Sequence, residues 1–266
     1  MTDSIDGAVI VIAKTPHPGR VKTRLVPPLT PQESAEVAWA CLSDTLDAVA
    51  RTAARRRVLL LDGEPGSWIP DGFEVITQRG NGLADRLVAG FDDVDDDAVL
   101  IAMDTPQVRP AQLDRALQTL RTSAQAVLGR SPDGGFWLLG LRRGIPAATV
   151  LDGVPMSTTH TGAAQFRRLQ ELGVSVTLLE ELRDIDTIDD VLAVAELIPS
   201  SATAQLAARL TSRDDHAAPS KIGGLLDEIR SSLRRVHPDE FRSEIERGAL
   251  VVDTRPIEQR DTHRRR

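Results

Sequence analysis

Cysteine is nearly absent from this chain of 266 residues, tyrosine is wholly absent, and aromatic residues together make up only 3%. The single Cys41 excludes a disulfide within the chain and a cysteine-rich zinc site. So few rings argue against a surface that stacks bases, and a net charge of −7 argues against a broad polyanion-binding face. Nucleic acid is therefore not expected as a partner, although local basic clusters remain. No apolar run is long enough for a membrane span. No signal peptide is visible either, because the N-terminus is polar and the first apolar run, residues 8–13, is followed at once by Lys14. The expected compartment is the cytoplasm. Against these absences, 41% of residues are hydrophobic, enough for a sizeable core, which argues against wholesale disorder.

The apolar residues fall into short runs separated by amphipathic stretches. Residues 8–13, 58–61, 73–77, 98–102, 126–129, 136–141 and 174–178 have the length and branching of strands. Helices are expected over 32–55, 83–91, 110–120, 163–172 and 188–197, the first opened by Thr30, Pro31 and Glu33 as cap and first turn. Strands alternating with helices imply an α/β fold with a mostly parallel sheet, whose ligands bind at the carboxyl ends of the strands. Residues 202–210 suggest a short helix and 211–220 a linker rich in Ser, Ala, Thr and Asp. Beyond it, two amphipathic helices are expected over 222–236 and 238–247, followed by an apolar run at 249–252 and a frayed basic end. The expected division is a nucleotide-binding domain over 1–198, a helix and linker over 199–220 and an appendage over 221–266.

Four clusters carry the chemistry. After the first strand, Lys14, Arg20, Lys22 and Arg24 place four cations within eleven residues, in a loop turned by Pro16, Pro18 and Gly19. Such a loop suits phosphates, held by cationic side chains and backbone N–H groups, and position and density favour that over an ordinary solvated basic loop. It lacks the glycine spacing and Gly-Lys-Ser/Thr ending of a P-loop. Asp104, at the end of the fourth strand and ahead of Pro106, could hold Mg²⁺ beside a diphosphate, since one or two carboxylates suffice for that ion. It could equally be a turn residue. Asp133-Gly134-Gly135 could approach metal, ribose or acceptor closely, or form an ordinary hairpin turn. In Asp184-Ile-Asp186-Thr187, alternation puts both carboxylates on one side of an extended segment, while Asp186 or Thr187 could instead cap the next helix. The polar run Ser157-Thr158-Thr-His160-Thr161 could contact an acceptor, and is at least as good a helix cap. The acidic run 92–97 lacks a calcium-loop pattern.

Taken together these segments are more specific than any one of them. The run from Ala13-Lys14 through Gly19-Arg20 to Leu25, Gln78-Arg-Gly80 to Arg86, Met103-Asp-Thr-Pro106, Pro132 to Gly140 and Asp184 to Thr187 resemble, in order, the signatures of DUF2064, a bacterial family of proposed glycosyltransferases. The resemblance spans about residues 7–198 and implies the nucleotide-diphospho-sugar transferase fold, also called GT-A, a Rossmann-type sheet flanked by helices. It implies that Ala13, Lys14, Gly19, Arg20, Lys22, Arg24 and Gln78 bind a nucleotide and that Asp104 is the first ligand of Mg²⁺ or Mn²⁺. Asp186 would be the second ligand, and Asp133, Gly134, Gly135, Ser157 and Thr158 would line the acceptor side. Asp104, Asp133 and Lys22 are the residues expected to carry catalysis. This chain departs from the family at Asn81-Gly82-Leu83, where members often carry Asp-Leu-Gly. Residues 222–256 resemble the start of a rhodanese-type domain, but no cysteine follows to carry a persulfide, so a small α-rich appendage, available to a protein partner, is expected there.

The leading expectation is glycosyl transfer from a nucleotide sugar to a small-molecule acceptor. The alternative is nucleotidyl transfer from an NTP to a phosphorylated acceptor with release of pyrophosphate. A third reading is a non-catalytic nucleotide-binding scaffold. Fold membership does not choose among them.

Overall fold

The structure is a computed structural model that describes residues 4–214 and Arg247. The expected helices over 222–236 and 238–247, the run at 249–252 and the rhodanese-like resemblance lie outside the described residues, apart from Arg247 itself. Residues 4–214 belong to one compact unit.

Seven strands form one sheet: β1 (Ile5–Lys14), β2 (Ala54–Asp62), β3 (Phe73–Thr77), β4 (Ala98–Ala102), β5 (Ala126–Arg130), β6 (Phe136–Leu141) and β7 (Val176–Leu178). Their order across the sheet is β3-β2-β1-β4-β6-β5-β7. All neighbours are parallel except β6, which runs antiparallel to both β4 and β5. Around the sheet lie α1 (Pro31–Ala50), α2 (Leu83–Val94), α3 (Pro110–Thr122), α4 (Ala147–Leu151), α5 (Thr161–Glu171), α6 (Ile188–Leu197) and α7 (Ala202–Asp214).

β1 is apolar without interruption because both of its faces are covered. Val9, Val11 and Ala13 pack with Leu42 and Leu46 of α1 and Leu113 and Leu117 of α3. Ala8, Ile10 and Ile12 point the other way, toward Leu87 and Phe91 of α2 and Val150 of α4. α1 opens with the expected capping box, in which Thr30 Oγ1 accepts from the Glu33 amide at 3.2 Å and Glu33 accepts from the Thr30 amide at 2.8 Å. A cap of this kind contributes about 1 kcal/mol.

Three differences from the expectations have local causes. α1 stops at Ala50 and β2 starts at Ala54, because Arg56 is paired with Glu74 at 2.8 Å and Arg57 donates to backbone carbonyls, so their charges can lie in a strand. The five-residue α4 was not expected at all; its apolar Ala147, Val150 and Leu151 close the face below α2. The helix over 202–210 runs on to Asp214 as α7, past the domain boundary placed at residue 198 and into the linker placed at 211–220. α7 is part of the body because Asp44 of α1 accepts from the Ala202 amide at 2.9 Å, the Thr203 amide at 2.8 Å and the Thr203 hydroxyl at 2.6 Å. Behind that cap, Leu206, Ala207 and Leu210 pack with Val37, Cys41, Val191 and Val194.

The topology fixes where ligands go. β1 connects to β2 on one side, while β4 lies on its other side, so strand order reverses between β1 and β4. The loops that leave the carboxyl ends of those two strands diverge there and open a crevice. β6, being antiparallel, begins at the same edge: Leu138 pairs with Ile101, so the turn 131–135 ahead of Phe136 lies beside Asp104. β7 runs parallel to β5 and sends residues 179–187 across the same edge, where the Ile185 amide donates to the Asp104 carbonyl at 3.0 Å.

Candidate active site

Four segments that are distant in sequence therefore meet at one edge of the sheet, and two adjoining cavities lie among them. The first, of about 570 Å³, is bounded by the loop after β1, the start of α2 and the end of β4, and includes Ala13, Lys14, Arg20, Lys22, Arg24, Gln78 and Asp104. The second, of about 540 Å³, is bounded by the β5–β6 turn, residues 156–161 and the segment before α6, and includes Asp133, Gly135, Ser157, Thr158 and Asp184. Ile12, Arg24, Leu83, Ala102, Asp104 and Asp186 line both.

Lys22 is the hub between the cavities. Its side chain is 6% exposed, and its ammonium lies 2.9 Å from Asp104 and 3.8 Å from Asp186 and donates to the Ile185 carbonyl. Burial opposes the ammonium, but the Asp104 carboxylate, with Asp186 behind it, outweighs that and holds Lys22 above the usual lysine range. Lys22 therefore stays charged. Its backbone is left-handed, with φ at 48°, a conformation that costs a side-chain-bearing residue about 1 kcal/mol or more and is often found at functional sites. Arg24 reaches the other side of Asp186 at 2.6 Å, with its own side chain 69% exposed.

In the 184–187 segment the structure assigns the capping role to one residue. Thr187 is the cap of α6: its hydroxyl accepts from the Asp190 amide, while the Asp190 carboxylate accepts from the amides of Thr187 at 2.8 Å and Asp186 at 3.2 Å. Capping is thus done by Thr187 and Asp190, and the Asp186 carboxylate is left to the crevice. Ile185 is fully buried between Asp184 and Asp186, so alternation turns both acids toward the cavities.

Asp184, which is not among the site residues expected from sequence, faces the second cavity. Oxygen atoms of Asp133, Asp184 and Asp186 all lie within 4.8 Å of one another. Burial, then the neighbouring charges of Asp133 and Asp186, push the Asp184 carboxyl up to about 6. A cluster of hard oxygen donors whose mutual repulsion is relieved only in part, by Lys22 and Arg24 at Asp186, fits Mg²⁺ or Mn²⁺, and fits no soft metal. Asp104 lies outside that cluster and faces the same Lys22 ammonium as Asp186.

The acceptor-side residues are joined by a backbone clasp. Asp133 Oδ1 accepts from the Gly135 amide at 2.8 Å, and the Gly162 amide donates to the Gly134 carbonyl at 2.8 Å. Gly134 has φ at 93°, and a Cβ there would collide with the backbone of Thr159. Ser157, with φ at 58°, and Thr158, whose amide donates to Thr161 Oγ1 at 3.0 Å, form the facing wall.

Not every expected residue faces the cavities. Gly19 (φ 75°) turns the cationic loop and Gly134 makes the clasp, and neither lines a cavity. Gln78 lines the first cavity, yet its amide nitrogen donates to Ala13 O at 2.7 Å and Leu60 O at 2.9 Å, and its oxygen accepts from Arg86 at 3.1 Å. It fastens the ends of β1 and β2 together, an interaction between distant strand ends that sequence order does not display. Burial pushes the Cys41 thiol up to about 12, so it is no nucleophile. Among the described residues, no helix is long and apolar enough to cross a membrane.

Residues 43–158 match the family DUF2064, described as an uncharacterized protein conserved in bacteria. The chain is 30% identical over 206 residues to a 3-phospho-D-glycerate guanylyltransferase of Phenylobacterium zucineum, covering 72% of this chain and 92% of that protein. It is 29% identical over 208 residues to a phosphoenolpyruvate guanylyltransferase of Thermomonospora curvata, covering 72% of this chain and 85% of that protein. Its fold matches a crystal structure of a proposed nucleotide-diphospho-sugar transferase from Desulfovibrio desulfuricans G20, with a TM-score of 0.69, 23% identity and coverage of 79% of this chain and 95% of that one. The chain belongs to the DUF2064 family, and it is a nucleotide-dependent transferase built on the nucleotide-diphospho-sugar transferase fold.

Proposed function

We propose that this protein is a nucleotidyltransferase that joins the nucleoside monophosphate of an NTP, GTP by analogy with its relatives, to the phosphate of a small phosphorylated acid. This reverses the order expected from sequence, where glycosyl transfer came first. The observation that carries the reading is the pair of adjoining cavities of opposite charge that meet at Asp104, Asp186 and Arg24. The first offers Lys14, Arg20, Lys22 and Arg86 to a triphosphate. The second is acidic, and its clustered carboxylates suit an acceptor that arrives with a cation. Two relatives covered over most of their length carry the names of guanylyltransferases that act on phosphorylated three-carbon acids.

In this reading the NTP lies in the first cavity with its α-phosphorus toward Asp104. The acceptor enters the second cavity between Asp133, Gly135, Ser157 and Thr158. One oxygen of its phosphate attacks the α-phosphorus, the bond from that phosphorus to the bridging oxygen breaks, and pyrophosphate leaves with the electron pair. A phosphate ester is largely dianionic at neutral pH, so the nucleophile needs no general base, and Asp133 positions the acceptor rather than deprotonating it. Lys22, Arg20 and Lys14 stabilise the charge that grows on the leaving pyrophosphate. Asp104 and Asp186, with Asp184, would hold Mg²⁺ or Mn²⁺, which would polarise the reacting phosphate. Because the reaction draws on NTP, the cytoplasm is the expected compartment.

The test is incubation with GTP and Mg²⁺ in the presence of 3-phosphoglycerate or phosphoenolpyruvate. Pyrophosphate release that requires the acid supports the reading. Release of NDP from a nucleotide sugar, with no pyrophosphate from any NTP, overturns it.

A further inference from the structure

The two cavities differ sharply in how they are charged. The first is lined by five cations, Lys14, Arg20, Lys22, Arg24 and Arg86, against two carboxylates, Asp104 and Asp186. The second is lined by five carboxylates, Asp104, Asp133, Asp184, Asp186 and Asp190, and, among the described Lys, Arg and His residues, by Arg24 alone. A triphosphate in the first cavity is served by four cations without Arg24. Among the described residues, a phosphorylated acid in the second has no other cationic side chain in the lining to meet.

We infer that Arg24, expected from sequence to bind the nucleotide, is instead the residue that holds the acceptor's phosphate and selects for phosphorylated acceptors. The inference rests on the nucleotidyl-transfer reading above. The present position of Arg24 explains how it stays available. Its side chain is 69% exposed, and its guanidinium is tied at 2.6 Å to Asp186, a carboxylate shared by both cavities and also facing Lys22 at 3.8 Å. A divalent cation on Asp186 supplies the charge that Arg24 now supplies there and repels the guanidinium. Arg24 then needs a new anion within reach of the same carboxylate, and the acceptor phosphate is the anion that the second cavity brings. The planar guanidinium can bind two phosphate oxygens at once, which orients the third toward the α-phosphorus, whereas a lysine there would supply charge without that orientation. Acceptor binding should accordingly depend on both Arg24 and the metal, and NTP binding should not depend on Arg24.

Two readouts test this, one of them independent of turnover. Calorimetric titration of 3-phosphoglycerate and, separately, of GTP into the full-length protein with Mg²⁺ is run on the parent, Arg24→Ala, Arg24→Lys and Arg20→Ala, each first checked for an unchanged melting temperature. Steady-state KM values for both substrates follow wherever pyrophosphate is released. The expected result is that Arg24→Ala weakens the acid at least tenfold, in Kd and KM, while GTP binding changes less than twofold. Arg24→Lys should recover affinity in part but not kcat, and Arg20→Ala should do the reverse, weakening GTP and sparing the acid. Equal weakening of both substrates by Arg24→Ala, or a loss confined to GTP, overturns the inference, as does a parent protein that binds neither 3-phosphoglycerate nor phosphoenolpyruvate. Metal-dependent binding of the acid that needs Arg24, without pyrophosphate release from any NTP, supports Arg24 as the phosphate holder and overturns the proposed reaction instead.

Discussion

Replacing Lys22 with Met tests the hub of the site. Methionine keeps most of the side-chain volume and removes the ammonium, so Asp104 and Asp186 lose a cation at 2.9 and 3.8 Å. Breaking a buried pair by removing one partner costs about 3–5 kcal/mol. Both carboxylates are 33% exposed, so solvent relieves part of that cost, and about 2 kcal/mol is the expected loss. For a body of this size that corresponds to a drop of about 4–8 °C in melting temperature. A divalent cation substitutes for the lost charge, so Mg²⁺ or Mn²⁺ should raise the melting temperature of Lys22→Met by more than it raises that of the parent. Activity responds differently: with the metal restored, one preorganised cation is still missing, and kcat should fall on the order of 10²–10³-fold. The assay is thermal unfolding in chelator and in excess Mg²⁺, paired with pyrophosphate release. A variant that melts with the parent in chelator, gains no extra stability from metal and keeps its kcat would refute the account of Lys22.

Other residues give sharper local tests. Asp184 titrates at about 6 because it is buried among Asp133 and Asp186, so the metal-free native state binds its proton more tightly than the unfolded chain does. Stability then falls as pH rises from about 4 to about 6. Asp184→Asn should leave stability unchanged near pH 4 and raise it at pH 8, on the order of 1 kcal/mol, measured by urea unfolding in chelator; equal curves at both pH values would contradict this. Gly134→Ala forces a Cβ into the Thr159 backbone from a φ of 93° and should cost about 2–4 kcal/mol, with acceptor KM rising more than that of the NTP. Asp44→Ala removes the cap of α7 and should cost about 1–2 kcal/mol, read by chemical unfolding, while KM values stay unchanged.

The parts of this site legible in the sequence were those carried by local pattern. The uninterrupted apolar run of β1, the cations behind it and the acid at the end of β4 all announce themselves within a few residues, and the sheet does bring them to one crevice. Alternation around Ile185 correctly put Asp184 and Asp186 on one side. What remained hidden was spacing between segments. That Lys22 reaches Asp104 and Asp186 depends on residues 183–187 crossing the end of β4, and nothing near Lys22 encodes that crossing. That Gln78 is occupied by Ala13 and Leu60, and that Gly134 is pressed against Thr159, follow likewise from strand order. The extent of α7 is hidden for another reason: its apolar face is weak in isolation and gains its partners from distant elements, chiefly α1 and α6. The choice between glycosyl and nucleotidyl transfer was open because a cationic loop and an aspartate at a strand end serve both reactions equally.

The central claim concerns which bond is made, and the phosphorus label decides it most directly. The protein is supplied with GTP labelled at the α-phosphorus, Mg²⁺ and 3-phosphoglycerate or phosphoenolpyruvate, and the products are separated by anion exchange. Nucleotidyl transfer predicts that the label appears in a new phosphoanhydride with the acid, in equal amount to the pyrophosphate released, and that Asp104→Asn abolishes both. Label that stays in GTP with either acid and every divalent metal, while an unlabelled nucleotide sugar is turned over to NDP, would contradict it.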